Sequence, residues 1–267
     1  MIIVKVLGGL GNQMFQYAYA KTLEIKGFEV KLDLSGFSRY KLHGGYQLSK
    51  YAINIENAST SAILFAKINR LKTVKEKSLL FDSKLLSLKG NEYVKGYFQT
   101  EKYFLEIRNT LLTQFTLPEE ITNSTKKYKK EITAASNSCS LHIRRGDYIS
   151  NSKSHAIHGT CNLKYYKEAI KIIKEKYQNP TFFIFSDDPT WTKENLILNN
   201  ATYISHNCLP HEDIYLMSLC KNNITANSSF SWWGAWLNRN DSKTIIAPKQ
   251  WFVTKENEIA CENWIKI

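Results

Sequence analysis

Cysteine is scarce and unpatterned in this sequence of 267 residues: five, at positions 139, 161, 208, 220 and 261, with no CxxC spacing. An odd, scattered set excludes a disulfide framework and a thiolate zinc site, and reads as reduced thiols in a cytosolic protein. Long apolar runs are missing as well. The apolar start, Met1 to Leu7, contains Lys5 and runs into Gly8, which is too short for a signal peptide. The longest charge-free stretch, Asn222 to Asn238, holds four Asn and three Ser and falls short of a membrane span. The expectation is a soluble cytoplasmic protein, at most peripheral at an inner membrane face. Arginine is rare, six of the 36 basic residues, while 24 acidic residues leave a formal net charge of +12. Such an excess suits nucleotides, nucleic acids or an anionic membrane surface; general richness in Lys, Asn and Ile accounts for it equally well. What is present in quantity is core material. At 43% hydrophobic and 22% charged, the chain can bury one large or two small cores.

The first 34 residues predict a βαβ unit: strand Ile2–Leu7, a tight loop Gly8–Gln13, helix Met14–Lys26 stopped at Gly27, and strand Glu29–Leu34. Gly36 to Gly45 reads as loop, Lys50 to about Lys89 as mostly helical, Tyr93–Phe98 as a strand and Glu101–Phe115 as a helix. A polar, basic stretch from Pro118 to Ser138 reads as a connection carrying a helix, and its Lys126-Lys127-Tyr128-Lys129-Lys130 cluster as a solvated face. Beyond it strands and helices alternate: strands Ser140–Arg144, Thr181–Ser186, Thr202–Ser205, Asn223–Ala226 and Thr244–Ala247, with helices Asn162–Tyr177, Glu212–Cys220 and Ser228–Leu237. The expected plan is α/β, two Rossmann-like domains of residues 1–130 and 131–267.

Open α/β sheets bind ligands beyond the carboxyl ends of their strands, and four strand ends stand out. Gly8-Gly9-Leu10-Gly11-Asn12-Gln13 offers close backbone approach beside a helix N-terminus. It lacks the Lys-Ser/Thr of a P-loop, and Met14 occupies the third glycine slot of a dinucleotide fingerprint. In His142-Ile143-Arg144-Arg145-Gly146-Asp147-Tyr148, strand alternation projects His142 and Arg144 to one face, and an Arg fork suits phosphate oxygens. Ser186-Asp187-Asp188-Pro189 gives Asp188 and Pro189 to helix capping and leaves Asp187 for a base or ribose edge; two carboxylates alone make a poor magnesium site. Asn227-Ser228-Ser229-Phe230 opens a helix whose N–H groups can cradle a phosphate, while Trp232, Trp233 and Trp236 read as core. Together these describe a dianion held by Arg144 and a helix N-terminus, with a pocket for a heterocycle beside it and no metal.

Gly8–Ala18, His142–Tyr148, Phe185–Asp188 and Asn227–Leu237 resemble, in order and spacing, the motifs of the α-1,2-fucosyltransferases, glycosyltransferase family eleven. The resemblance runs the length of the chain. It implies a GT-B fold with its two domains facing across a cleft, GDP-β-L-fucose as donor, inversion at the anomeric carbon and no metal or other cofactor. It implies that a bacterial member builds surface polysaccharide such as O-antigen on a galactose-containing glycan. It further implies His142 and Asp187 near guanine, Arg144 on the β-phosphate and Ser228 and Ser229 on the phosphates, with Asn227 and Phe230 beside them. Gly9, Gly11, Asn12 and Gln13 would approach the diphosphate and sugar.

In the chemistry so implied, charge grows on the β-phosphate as fucose leaves, and Arg144 with the amides near Ser228 stabilises it. Asp147 is the nearest motif carboxylate for the acceptor proton, with Asp33 and Glu92 as outside candidates and Arg145 a surface partner for Asp147. Competing readings are a transferase for another nucleotide sugar or linkage, a NAD(P)-linked dehydrogenase on the first βαβ unit, and a non-catalytic binder of anionic ligands. Nucleic acid is not an expected partner, because aromatic-interleaved basic sequence is missing.

Overall fold

A computed structural model describes residues 1–38, 44–68, 71–117, 120–204 and 209–267, excluding the side chains of residues 67, 147, 150, 153 and 154. The chain divides into two compact units: Met1–Pro118 with Glu256–Ile259, and Glu119–Lys255 with Ala260–Ile267.

The first unit holds a parallel sheet in the order β2-β1-β4-β3. Its strands are β1 (Ile2–Lys5), β2 (Val30–Asp33), β3 (Lys72–Lys75) and β4 (Glu92–Lys95). Helix α1 (Leu10–Ile25) joins β1 to β2, and α2 (Thr60–Ile68) precedes β3. Gly27 has φ +94°, the left-handed conformation that lets the chain leave α1 and turn into β2. Helix α1 is buried almost all round, with Met14, Phe15, Tyr17, Tyr19 and Leu23 inaccessible. Tyr19 stacks on Phe98 with ring centroids 3.8 Å apart. A helix so enclosed organises the core of this unit.

Three expectations fail here. Helix α1 begins at Leu10, not Met14, so Gly11, Asn12 and Gln13 lie in its first turn and not in a loop. Residues 50–89 are not mostly helical. Among the described residues they hold the nine-residue α2, short 3-10 turns and β3, an exposed edge strand whose Lys-Thr-Val-Lys sequence looks like solvated surface. Residues 101–115 break into 3-10 turns at Glu101–Tyr103 and Leu105–Ile107 before α3 (Arg108–Gln114). Phe104, at φ −146°, interrupts the helical course because Tyr103 and Phe104 are both drawn into the core.

The second unit carries a six-stranded parallel sheet in the order β10-β9-β8-β5-β6-β7. The strands are β5 (Ser138–Ile143), β6 (Thr181–Ser186), β7 (Ala201–Tyr203), β8 (Asn222–Ile224), β9 (Ile245–Ala247) and β10 (Ile265–Lys266). The helices are α4 (Asn123–Ala134), α5 (Gly146–Ser150), α6 (Ser152–His158), α7 (Leu163–Lys176), α8 (Pro189–Asn195), α9 (Pro210–Leu219) and α10 (Ser229–Trp236). Strand β6 is a nearly continuous apolar run, and β5, though it carries Ser138, Ser140 and His142, is buried along its whole length, as coverage on both faces requires. Leu141 and Ile143 of β5 pack with Tyr166, Ile170 and Ile173 of α7. On the opposite face Asn223 Nδ2 donates to Ser140 Oγ at 2.7 Å and to the Met217 carbonyl of α9 at 2.8 Å. So α7 covers one face of the sheet and α9 the other. Helices α9 and α10 touch closely: a Cβ on Gly234 would stand 2.6 Å from the Met217 Cβ.

The expected boundary at residue 130 falls inside α4. That helix belongs to the second unit because the buried Glu212 of α9 accepts from the Thr122 amide (2.7 Å) and the Thr125 hydroxyl (2.7 Å) at the start of α4. Nor does residue 131 onward stay in one unit. Asn257 bridges to Leu79, and Glu258 accepts from the Phe81 amide and pairs with Lys102, which ties Glu256–Ile259 to the first unit. Cys139, Cys161, Cys220 and Cys261 are buried; Cys208 lies outside the described residues.

Candidate active site

The site is built where β5, β6 and β8 end side by side. Register places Ile143 beside Ser186 and Leu141 beside Ile224, so the residues just beyond them converge. Because Leu141 and Ile143 face α7, alternation turns His142 to the α9–α10 face. There its ring lies 5.7 Å from that of Phe230, in the first turn of α10. His142 is 5% exposed and its Nδ1 is buried without a partner. Burial lowers its pKa to about 4; the Arg144 guanidinium adds to this and Asp187 opposes it. At neutral pH the ring is therefore an uncharged imidazole with an unmet polar atom, suited to the edge of a neutral heterocycle.

Arg144 NH1 pairs with Asp187 Oδ2 at 3.0 Å, and the guanidinium lies 5.4 Å above the centre of the Tyr148 ring. The Tyr148 ring stacks in turn on His158 at 4.7 Å. Asp187 Oδ1 also accepts from the Arg145 amide at 2.8 Å. This carboxylate holds Arg144 and its loop, while its Oδ2, buried and ion-paired, makes no hydrogen bond among the described residues. Gly146 is glycine for a local reason: a Cβ there would stand 2.7 Å from Asp187 Oδ2 and push the carboxylate off the guanidinium. Arg145 is engaged among the described residues. Its Nε donates to Asp188 at 3.2 Å and its guanidinium stacks 3.9 Å from the centre of Trp191. Asp188 caps α8 through the Trp191 amide, with Pro189 at the first helical position, as read from the sequence. Asp147 lies in the first turn of α5, and its side chain is outside the described residues.

Helix α10 begins with Ser228 as N-cap, its hydroxyl accepting from the Phe230 amide at 3.3 Å. Ser229 and Phe230 are partly exposed at the helix end. Trp232, Trp233 and Trp236 are at most 2% exposed and pack on one another, so the aromatic run is core and anchors the helix. The Asn227 side chain is hydrogen-bonded within the protein. Its Nδ2 donates to the His158 carbonyl at 2.8 Å, its Oδ1 accepts from the Cys161 thiol, and it is 2% exposed. A cavity of 730 Å³ opens on the α7 side, lined by Cys161, Tyr165, Asn227, Pro248, Gln250 and Val253; of the expected site residues only Asn227 borders it.

In the first unit the side chains of the glycine-rich segment are already engaged. Gln13 is inaccessible: its Nε2 donates to the Gly8 and Gly45 carbonyls and its Oε1 accepts from the Gln47 amide. Asn12 Oδ1 accepts from Gln99 at 2.8 Å. Gly9 is the N-cap of α1 and provides no side-chain cap, so the backbone of Gly9 and Gly11 is what this segment can offer an anion. The outside candidates for a base fail. Asp33 is buried, which alone would raise its pKa, but hydrogen bonds from Tyr93 and Ser35 outweigh burial and lower it. Glu92 is spent on the Lys89 and Asn91 amides.

The residue that sequence reasoning missed is Asp213. Helix α9 runs from the end of β7 back to the start of β8, so its first turn lies at the carboxyl edge of the sheet, on the face His142 uses. Asp213 sits in that turn with a buried Oδ1 that has no partner. Burial, with Glu212 adding, pushes its pKa up to about 8. In sequence it is one of two adjacent acids at a helix start, a common capping pattern that conceals it. Among the described residues no three His, Cys, Asp or Glu side chains cluster to ligate a metal.

The two parallel-sheet α/β units have the GT-B fold, and the match of the whole sequence to a family model makes the protein a glycosyltransferase. The glycosyl transferase family 11 model matches residues 1–267, and the chain belongs to that family. It is 39% identical to the alpha-1,2-colitosyltransferase of Escherichia coli, an alignment covering 100% of this chain and 99% of that one. It is 33% identical to the O-antigen biosynthesis glycosyltransferase WbnK of Escherichia coli, covering 97% and 98%. In fold it resembles the alpha-1,6-fucosyltransferase NodZ from Bradyrhizobium. Against the NodZ crystal soaked with GDP-fucose the TM-score is 0.52 at 12% identity, covering 88% of this chain and 91% of that one.

Proposed function

We propose that the chain transfers L-fucose from GDP-β-L-fucose, with inversion and without a metal, to the 2-hydroxyl of a terminal galactose in a surface glycan such as O-antigen. The observation that carries this reading is Arg144, held by Asp187 just past the end of β5, with α10 beginning past the end of the adjacent strand β8. The two supply fixed positive charge where a leaving diphosphate needs it. The neutral, buried His142 supports a base pocket alongside, and the GDP-fucose soaked into NodZ supports a nucleotide-sugar donor. Ser228 and Ser229 serve the phosphates and Phe230 packs with His142 against the base. The backbone of Gly9 and Gly11 serves the diphosphate and sugar, while Asn12 and Gln13 shape that segment. Asp147 takes the acceptor proton.

A second reading is favoured by the full-length likeness to the colitosyltransferase. Colitose lacks the 3-hydroxyl of fucose, so the same machinery would serve a nucleotide-linked colitose. The deciding assay offers GDP-fucose and the colitose donor separately to a panel of galactosides, with and without EDTA, and reads product linkage by NMR. The expected result is an α-1,2-fucosyl product at a rate EDTA does not change. Turnover with the colitose donor alone, or activity lost to EDTA and restored by magnesium, rejects the reading.

Within it, Asp213 accepts from the N–H edge of the base. The sign of its pH effect follows from burial: below about pH 8 the free carboxyl is protonated, and pairing with two N–H donors requires the carboxylate. GDP affinity therefore rises from pH 6 to pH 8, by up to about tenfold per unit, with proton release on binding. Asp213→Asn weakens binding and flattens the profile in calorimetric titrations. A wild-type affinity indifferent to pH removes Asp213 from the base site.

A further inference from the structure

We propose that the outer face of α2 and the adjoining edge strand β3 form a docking surface for an anionic lipid bilayer. The inward side of α2 is accounted for: Ile63 and Ala66 are buried, and Ala66 packs with Ile3 and Tyr93 of the sheet beneath. Its outward side is not built for water. Leu64, Phe65 and Ile68 are 55%, 56% and 67% exposed, three large apolar side chains within five residues of one short helix. Spacings of one, three and four residues put them on a single helical face, the arrangement of interfacial helices that bury an apolar stripe just below the headgroups.

The choice of occupant rests on charge. From Thr60 to Lys77 the sequence carries five basic residues, at 67, 70, 72, 75 and 77, and a single acid, Glu76. That acid is withdrawn from the surface. Its carboxylate accepts from the Tyr97 and Phe98 amides, and its pKa is raised by burial. Lys72, Lys75 and Lys77 are exposed. Leu71 donates to the Ala66 carbonyl, which holds the start of β3, and with it Lys72, against the last turns of α2. An apolar wedge with a basic border is complementary to anionic headgroups over acyl chains. A second protein copy would meet the same lysines with like charge. The strand explains itself in the same terms: edge lysines discourage pairing with another sheet while remaining available to phosphate headgroups.

This inference goes beyond the transfer reaction and does not depend on it, since vesicle binding is read without turnover. No described helix is long and apolar enough to cross a membrane, so the association is peripheral. The experiment is flotation of the full chain with phosphatidylcholine vesicles, and with vesicles containing about 30% phosphatidylglycerol, at low and high salt. Expected is binding to the phosphatidylglycerol vesicles alone, reversed by salt. Leu64→Ser/Phe65→Ser/Ile68→Ser and, separately, Lys72→Glu/Lys75→Glu should each lower partitioning at least tenfold, with thermal unfolding and activity on a soluble acceptor unchanged. If the apolar triple variant loses its unfolding transition, the lysine pair decides alone. Wild-type protein that stays with the solvent in both vesicle types overturns the proposal, as does a lysine-pair variant that floats like wild type. A wild-type dimer in sedimentation that the apolar variant converts to monomer, without vesicle binding, assigns the face to a second copy and overturns it equally.

Discussion

Replacing Arg144 with alanine is expected to reduce kcat/KM by more than a hundredfold, a loss of about 3 kcal/mol of transition-state stabilisation. The guanidinium is pre-oriented by Asp187 and by the face of Tyr148, so it meets developing phosphate charge without reorganising. Arg144→Lys should recover little, because an ammonium offers a point charge where a planar fork is held in place. Steady-state kinetics with GDP-fucose and a galactoside measure both. Because Asp187 acts here through Arg144 and the Arg145 amide, Asp187→Asn should lose less than Arg144→Ala. An Arg144→Ala enzyme within about fivefold of wild type would place the charge stabilisation elsewhere.

The largest effect on stability is expected at Glu212. Its carboxylate is 2% exposed and accepts from the Thr122 amide and hydroxyl, the Thr125 hydroxyl and the Leu209 amide. Glu212→Ala would leave several buried donors unpaired and free α4 from α9, at a cost of about 3 kcal/mol in urea unfolding. Burial acts to raise the pKa of this carboxyl, but the hydrogen bonds from Thr122, Thr125 and Leu209 prevail and lower it from 4.5. The sign follows. The unfolded chain binds the proton more tightly, so the contribution is complete above pH 4.5 and is lost as pH falls through the lower folded value. Unfolding midpoints measured downward from pH 6 should converge for wild type and Glu212→Gln. Parallel curves would contradict this account.

Legibility differed by the kind of signal. Strand β6 declares itself as a buried apolar run, and alternation along β5 was enough to send His142 away from Leu141 and Ile143. The capping of α7 by Asn162 and of α8 by Asp188 with Pro189 is local hydrogen-bond chemistry and equally readable. Strand β3 was not readable, because an edge strand with lysines carries no burial pattern until a neighbour pairs with it. Asp213 was hidden for a related reason: its burial comes from the packing around α9, not from its own segment.

By itself the sequence determined the α/β class, the strand ends at which the motifs lie, and the placing of an imidazole and a guanidinium together at one of them. These follow from periodicity and from the few functional groups able to meet a diphosphate. Only the tertiary structure decided how those groups are shared out. It assigned Asp187 to Arg144, Asn227 and Gln13 to their own loops, α4 to the second unit and Glu256–Ile259 to the first. Hydrogen-bond partners distant along the chain become known only once the backbone brings them within about 3 Å, and a polar side chain's role is set by which partner reaches it first.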